Sequence, residues 1–416
     1  MKRYEKYKPT GIQWLPEIPE YWEAVKIKYC FNQRSEKGFP NEPILCATQS
    51  RGVIPQTLYE NRVVVVNKGF EGLKLVKVGD FVISLRSFQG GIEYAYYQGI
   101  ISSAYTILSP QKESSSPYFK YLFKSHPFIQ LLQTCVTGIR EGQNINYSVL
   151  GNSFIPIPPI PEQNKIVAYL DKRITLIDNC KCQRERELQT LNELKQAEIA
   201  SVVTRGLNPD VPMKDSGIPW IGQIPDHWEL RRFKTVCSLI REPSKNGDKK
   251  IALENIETNT GRLIATDSVF DGEGVHFEPG DILFGKLRPY LAKVYLAKES
   301  AQAVGDFYVF RSNGSIIPAY LHKLIISAPF IGVVNAGTYG TKMPRASWQD
   351  ISQLNIPLPP IEEQNAIVEY IESKTSKIDT MIEALKAEID RLTEYKQRLI
   401  SDVVTGQIDV RGEQIQ

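Results

Sequence analysis

Apolar side chains near the C-terminus recur every seven residues, with Ile371, Ile378, Leu385, Leu392 and Leu399 forming one series. Val368, Thr375, Ile382, Ile389 and Val403 fill the complementary positions, and Lys396 is the one charged member. Two apolar positions per heptad, kept over about five repeats, predict a long helix whose seam faces another helix. Residues 156–205 carry a second such pattern, with Val167, Ile174, Leu188 and Val202 alongside Leu170, Ile177 and Leu191. Lys181, Arg184, Lys195 and Glu198 take its remaining seam positions, so this helix suits the other helix better than a copy of itself. Each helix would be roughly 60 Å long, at ~1.5 Å per residue over ~40 residues. Outside these segments the period shortens. NRVVVVNKG, GDFVISL, ISSAYTILS, GDILFGKL and KVYLA cluster or alternate β-formers and predict strands. PYFKYLFKSHPFIQLL (117–132) and PAYLHKLIISAPFIGVV (318–334) predict matching helices, and GLNPDVPMKDSG (206–217) reads as a linker.

The pattern is written twice. IPIPPIPEQNKIVAYL (155–170) returns as IPLPPIEEQNAIVEYI (356–371), and GIQWLPEIPEYWEAVKIK (11–28) returns as GIPWIGQIPDHWELRRFK (217–234). Trp14 matches Trp220, Pro19 matches Pro225 and Trp22 matches Trp228, while VGDFVISLRSF (78–88) echoes PGDILFGKLRPY (279–290). Two long repeats, unlike the many short ones of a solenoid, predict a pseudo-two-fold molecule. The segments are a lobe at 1–155, a central long helix at 156–205, a linker at 206–216, a second lobe at 217–355, a C-terminal long helix at 356–405 and a tail at 406–416. A two-fold relation makes the two helices antiparallel. Each helix start carries prolines where a missing N–H costs little, and acidic residues (Glu162; Glu362 and Glu363) that complement the positive helix end.

Composition narrows the function classes. At 416 residues the chain has room for two or three cores, and no apolar run is long enough to span a membrane. MKRYEKYKPTG has no apolar stretch of the kind that directs secretion, so a cytoplasmic protein is expected. Six scattered cysteines and four isolated histidines predict neither a disulfide scaffold nor a metal site. Net charge is +3 overall, but it is unevenly placed: residues 1–155 carry 18 basic against 12 acidic side chains, and residues 356–416 carry 7 against 12. That distribution permits nucleic-acid binding without demanding it.

Catalytic signatures are near misses. GDILFGK (280–286) lacks only the final hydroxyl of a phosphate-binding loop, but its place is taken by Leu287 and the stretch between is β-forming. It reads as a strand. Pro225-Asp226 with Glu229 and Arg231 faintly resembles a nuclease carboxylate cluster, and its copy, Pro19-Glu20-Tyr21-Trp22-Glu23, has no basic residue there. No Asp/Asn-Pro-Pro-aromatic tetrapeptide for methylating a base amine is present, nor a Gly-rich loop to seat S-adenosylmethionine. The repeated tryptophans read as anchors of each lobe's start. More suggestive are two polar, glycine-bearing loops at corresponding places, TGIREGQNINYS (137–148) and AGTYGTKMPRAS (336–347). Arg140, Gln143 and Asn144 in the first, and Thr341, Lys342 and Arg345 in the second, are side chains of the types that bond phosphates and base edges. Arg86, Ser87 and Gln89, and correspondingly Lys286, Arg288 and Tyr290, follow the two GD strands where a groove-facing loop would start.

These pieces together resemble the DNA-specificity (S) subunits of type I restriction–modification systems. The resemblance rests on MKDSGIPWIGQIPDHWE, GDILFGKLRPYL, GDFVISLRSFQGGIEYAY and the doubled helix start, and it spans nearly the whole chain. It implies an α+β fold of two mixed α/β target-recognition domains joined by two long helices in an antiparallel coiled coil, with seam residues Leu170, Ile177, Leu191, Ile371, Ile378, Leu385, Leu392 and Leu399. By the same resemblance the chain is not an enzyme and holds no cofactor. S-adenosylmethionine, ATP and Mg2+ are expected on its partners, two methyltransferase (M) subunits and the restriction (R) motor–nuclease subunits. Each domain would read one half of a split duplex DNA target, at half-sites near one helical turn apart, ~34 Å. The unequal loops imply unequal half-sites and an asymmetric target. A coiled-coil scaffold whose lobes bind protein instead is the competing reading; it predicts no salt-dependent affinity for duplex DNA.

Overall fold

The computed structural model describes residues 2–60, 69–111, 117–137, 144–243, 249–266, 272–340 and 342–413. The run Val63–Val66, expected to be a strand, lies outside them. The chain forms two compact units, one of residues 1–184 with 387–416 and the other of residues 185–386.

At the heart of the first unit, β1 (Phe31–Arg34), β2 (Phe81–Ile83), β3 (Glu93–Tyr94) and β4 (Thr106–Pro110) make an antiparallel sheet in the order β1-β4-β2-β3. The second unit has β5 (Cys237–Ile240), β6 (Ile282–Gly285), β7 (Val294–Leu296) and β8 (Phe307–Ser312) in the order β5-β8-β6-β7. The topology is repeated as faithfully as the sequence. The GD strands β2 and β6 are buried at every position, which is why they read as unbroken apolar runs. In each copy the aspartate before the strand is buried and closes the turn, Asp80 accepting from the Lys77 amide and Asp281 from the Glu278 amide, both at 2.8 Å. Each also holds an arginine from the same sheet: Arg34, two strands away, donates from Nε to Asp80 at 2.9 Å, and Arg311, on the adjacent strand, grips Asp281 with two bonds of 2.7 Å. The arginines come from non-equivalent strands, so no alignment of the copies reveals the shared device. Beyond these sheets the copies diverge: among the described residues only the second contains a three-stranded sheet with a parallel pair, Lys250–Ile251 beside Ala301–Ala303.

Each helix expected behind a sheet is broken in two. Tyr118–Leu122 and His126–Thr134 meet at Ser125, and Pro318–Ile326 and Ala328–Ala336 meet at Ser327. Both serines are extended (ψ 144° and 146°), and each hydroxyl donates back to the carbonyl three residues earlier, Leu122 or Leu324. The proline two residues on, Pro127 or Pro329, cannot sit in a helix interior but fits the first turn of a new one. Among the described residues no single helix is long and apolar enough to cross a membrane.

The long helices run Ile160–Arg205 and Ile361–Val404. Within each unit they pair antiparallel. In the first unit Asp178 meets Lys396 at 2.7 Å, Lys181 meets Thr393 at 3.2 Å and Arg184 meets Glu388 at 3.0 Å. In the second, Lys195 meets Asp379 and Glu198 meets the Tyr370 hydroxyl, both at 2.6 Å. All four charged seam residues of the central helix therefore find polar partners on the C-terminal helix. Leu170, Ile177, Ile371 and Leu399 are buried, whereas Leu191, Ile378, Leu385 and Leu392 are half-buried. Two helices cover each other on one side only, so seam positions away from the lobes keep contact with solvent.

Two repeated motifs turn out to be one contact. Trp22 Nε1 donates to Glu162 at 3.2 Å, and Trp228 Nε1 donates to Glu363 at 2.9 Å, so each buried tryptophan ties its lobe to the glutamate of the following helix start. Trp14 and Trp220 lie edge-on to Phe128 and Phe330, each with ring centres 5.8 Å apart. The adjoining Gln364 donates to the Pro359 carbonyl and accepts the Ile317 amide, pinning the chain ahead of its helix. Each unit also receives the end of a long helix. The buried Tyr118 hydroxyl donates to the Val404 carbonyl at 2.7 Å, and that of Tyr320 to the Val203 carbonyl at 2.9 Å. The helices then stop at Gly406 and Gly206, both at φ 75°, where a side chain on Gly406 would strike Pro19. Past these glycines, Met213–Asp215 pairs with Gln223–Pro225, and Val410 is buried beside Asp409, whose amide donates to the Lys2 carbonyl.

Candidate nucleic-acid interface

The second unit gathers its candidates. Leu287 bridges to Arg345, the Arg288 amide donates to the Pro344 carbonyl at 2.8 Å, and the Ala346 amide donates to the Lys286 carbonyl at 2.9 Å. This short ladder joins the loop after β6 to the loop before the last short helix (Trp348–Gln353), placing Lys286, Arg288, Tyr290, Lys342 and Arg345 on two adjoining strips. Arg288 sits in the left-handed region at φ 51°, as does Ala292 at φ 44°. Non-glycine residues held there store of order 1–3 kcal/mol of strain each, a feature of binding loops more than of connectors. Arg288, Tyr290 and Lys342 are exposed, along with Tyr339 and Met343. Arg288 and Lys342 make no side-chain hydrogen bond or ion pair among the described residues. Lys286 and Arg345 are instead tethered, both to Asp306, and Lys286 Nζ lies 5.6 Å from the centre of the Tyr308 ring. Tyr308 steadies the same loop, its hydroxyl donating to the Ala346 carbonyl and accepting the Trp348 amide. Thr341 lies outside the described residues.

The first unit is less complete. Arg86 and Gln89 are exposed and make no side-chain hydrogen bond among the described residues. Ser87 is not part of that surface. It is 2% exposed and its hydroxyl accepts the Ser84 amide at 2.8 Å, so it closes the turn rather than facing outward. Asn144 is exposed, opposite Thr137 in a two-residue ladder; Arg140 and Gln143 lie outside the described residues. No backbone hydrogen bond or bridge joins Asn144 to the Arg86–Gln89 turn among the described residues.

Beneath that turn lies a buried brace that sequence reading missed. Lys124 Nζ donates to Glu93 Oε1 at 2.5 Å and to the carbonyls of Gly90 and Gln49 at 2.8 and 3.1 Å, holding the Ser87–Gly90 turn against its neighbour. Burial raises the Glu93 carboxyl from its ordinary 4.5 to about 7, against the opposing pull of Lys124, and its second oxygen has no hydrogen-bond partner among the described residues. The pair lines a cleft of about 650 Å3 with Gln49, Arg51, Tyr94 and Tyr96. A lysine and a glutamate 31 residues apart carry no sequence signal of their own.

Neither near-miss motif gains support. The amides of β6 are occupied by the sheet, Lys286 belongs to Asp306, and Glu229 pairs with Arg231 on an exposed strand. Among the described residues no group of three or more His, Cys, Asp or Glu is placed to hold a metal ion.

Comparison with known proteins reflects the doubled architecture. A family described as the type I restriction modification DNA specificity domain matches twice, at residues 19–190 and 225–391. The chain is 25% identical to the type I restriction enzyme MjaVIII specificity subunit of Methanocaldococcus jannaschii, over 95% of each chain. It is 23% identical to the EcoDI specificity subunit of Escherichia coli, over 65% of this chain and 64% of that one. Among solved structures, a chain from work on complex assembly and conformational transition of the type I R-M system superposes over 94% of this chain and 99% of its own, at TM-score 0.67 and 17% identity. With both copies matched over most of their length, the chain belongs to the type I restriction–modification DNA specificity family.

Proposed function

We propose that this specificity subunit reads an asymmetric, bipartite duplex DNA target, one half-site per unit. Arg288, Lys342, Arg345, Lys286 and Tyr290 would act in the second unit, and Arg86, Gln89 and the 137–144 loop in the first. The observation that carries the reading is the β-bridged pair of loops in the second unit, which sets tethered and free cations beside exposed tyrosines. Arg is suited to bidentate contact with guanine, and free lysines to phosphate. On this reading the chain supplies recognition and no chemistry. Two M subunits carry S-adenosylmethionine and methylate adenine, and R subunits bring ATP- and Mg2+-dependent cleavage. A protein-binding scaffold without DNA readout is not favoured, because the matching family is a DNA specificity domain.

The decisive experiment maps methylated adenines in the host genome with and without this chain. One split motif should vanish when the chain is removed; an unchanged pattern would overturn the proposal. Replacing residues 11–155 by those of another family member should then change one half of the motif only.

A further inference from the structure

Asp306 stands between two cations that come from separate loops of the second lobe. Arg345 Nη2 donates to Asp306 Oδ2 at 3.0 Å, and Lys286 Nζ lies 3.7 Å from Asp306 Oδ1. The carboxylate is 21% exposed and Arg345 is 45% exposed, so the guanidinium is anchored at one nitrogen while much of the side chain meets solvent. The backbone around it is held independently of that carboxylate. The Lys286 amide donates to the Asp306 carbonyl, Arg345 and Tyr339 exchange backbone bonds, and the Tyr308 hydroxyl fixes Ala346.

We propose that Asp306 is a positioning residue that presents Arg345, with Lys286 beside it, to one base pair of the half-site read by the second unit. The proposal rests on the reading of this surface as a DNA interface. A guanidinium has five N–H donors in a planar fork, so one can be given to Asp306 and two remain for the O6 and N7 of a guanine. Anchoring also removes side-chain freedom before binding, which a free arginine would lose on contact. A lone carboxylate would repel the phosphates, but this one lies between two cations and leaves the local charge positive. Arg288 and Lys342, with no partner among the described residues, are the complementary kind of cation, suited to phosphates and blind to sequence. The device belongs to one copy. Tyr308 pairs with Phe284 as Thr106 pairs with Ile83, which places Ala104 where the second copy has Asp306.

The test uses the native complex with its partner subunits, and duplexes carrying the genomic methylation motif or its single-base variants. Asp306→Asn keeps the side chain's shape and the backbone bonds. It should cut discrimination at one base pair of one half-site by about tenfold, leaving the other half-site and the salt dependence unchanged. Lys342→Ala should do the converse, weakening all duplexes alike and flattening the salt dependence. Discrimination kept in Asp306→Asn while Arg345→Ala abolishes it would overturn the positioning role and leave the DNA reading intact. Unchanged discrimination and salt dependence in Arg345→Ala, Lys286→Ala, Arg288→Ala and Lys342→Ala alike would overturn the DNA reading itself. Should Asp306→Asn fail to assemble, Arg345→Lys, which keeps the charge and loses the fork, must show the same loss at the same base pair, and its absence would overturn the proposal.

Discussion

Glu162 and Glu363 occupy the same place in the repeat but different surroundings, and replacing each by alanine separates burial from motif. The Glu162 carboxylate is 5% exposed and accepts from Tyr4 Oη at 2.6 Å, Tyr21 Oη at 3.0 Å and Trp22 Nε1 at 3.2 Å. Glu363 has a side chain 40% exposed and accepts from His227 at 2.6 Å and Trp228 Nε1 at 2.9 Å. In Glu162→Ala the Tyr4 hydroxyl and the Trp22 N–H, both buried, lose their acceptor, while exposed Tyr21 can turn to water. Each buried donor left unpaired costs roughly 1–3 kcal/mol, so a loss of about 4 kcal/mol is expected. In Glu363→Ala only the Trp228 donor is stranded, beside solvent, and the expected loss is about 1 kcal/mol. Glu162→Gln should recover only part of the difference, because its amide keeps one acceptor oxygen and turns a donor toward one of the remaining donors. Hydrogen exchange read by mass spectrometry in increasing urea reports the two units separately through peptides covering residues 155–170 and 356–371. Equal losses in the two alanine variants, or full stability in Glu162→Gln, would refute the view that burial sets the strength of this joint.

The two units should respond oppositely to pH. Glu93, raised to about 7 by burial, binds its proton more readily folded than unfolded, so its stabilising share is full below about 4.5 and is lost as pH rises through about 7. His322, fully buried and further opposed by Lys323, is lowered from 6.5 to about 4; its share is full above 6.5 and is lost as pH falls through about 4. Each effect has a ceiling of about 3 kcal/mol, and pulse proteolysis from pH 4 to 8 should show slopes that Glu93→Gln flattens in the first unit and His322→Phe in the second. In the polar seam, Lys195→Ala should destabilise the second unit by roughly 1–2 kcal/mol, and a double-mutant cycle with Asp379→Ala should return a coupling of about 1 kcal/mol. Additive single effects would mean that the pair does not set helix register. Arg288→Ala should weaken binding to all duplexes and lower the slope of log affinity against log salt by about 1, whereas loss of specificity alone would show that it touches a base.

Much of this molecule is local, and local order can be read in a sequence. The heptads of the long helices and the buried GD strands follow from periodicities that a backbone of regular geometry imposes on neighbours a few residues apart, and the doubled helix starts and tryptophan motifs show when the chain is compared with itself. The breaks at Ser125 and Ser327 were within reach too, since Pro127 and Pro329 stand two residues beyond them, although the surrounding apolar pattern runs straight through. What the chain order could not reveal is which distant residues meet. Arg34 and Arg311 serve equivalent aspartates from non-equivalent strands, and Lys124 finds Glu93 only once a sheet and a helix are packed. Ser87 looks polar and available in the sequence, but it is buried because the turn after β2 folds its hydroxyl onto the Ser84 amide. The charged entries in the central helix look like defects in a seam until the antiparallel partner supplies Thr393, Glu388, Asp379 and Tyr370. The candidate interface shows the division most clearly. Residue types pointed to the loops after β6 and around 336–347, but the ladder that joins them and the carboxylate of Asp306 between Lys286 and Arg345 exist only when chain segments far apart in sequence close on one another. Tertiary packing decides such contacts, because they depend on where whole elements end in space and no short-range pattern encodes that.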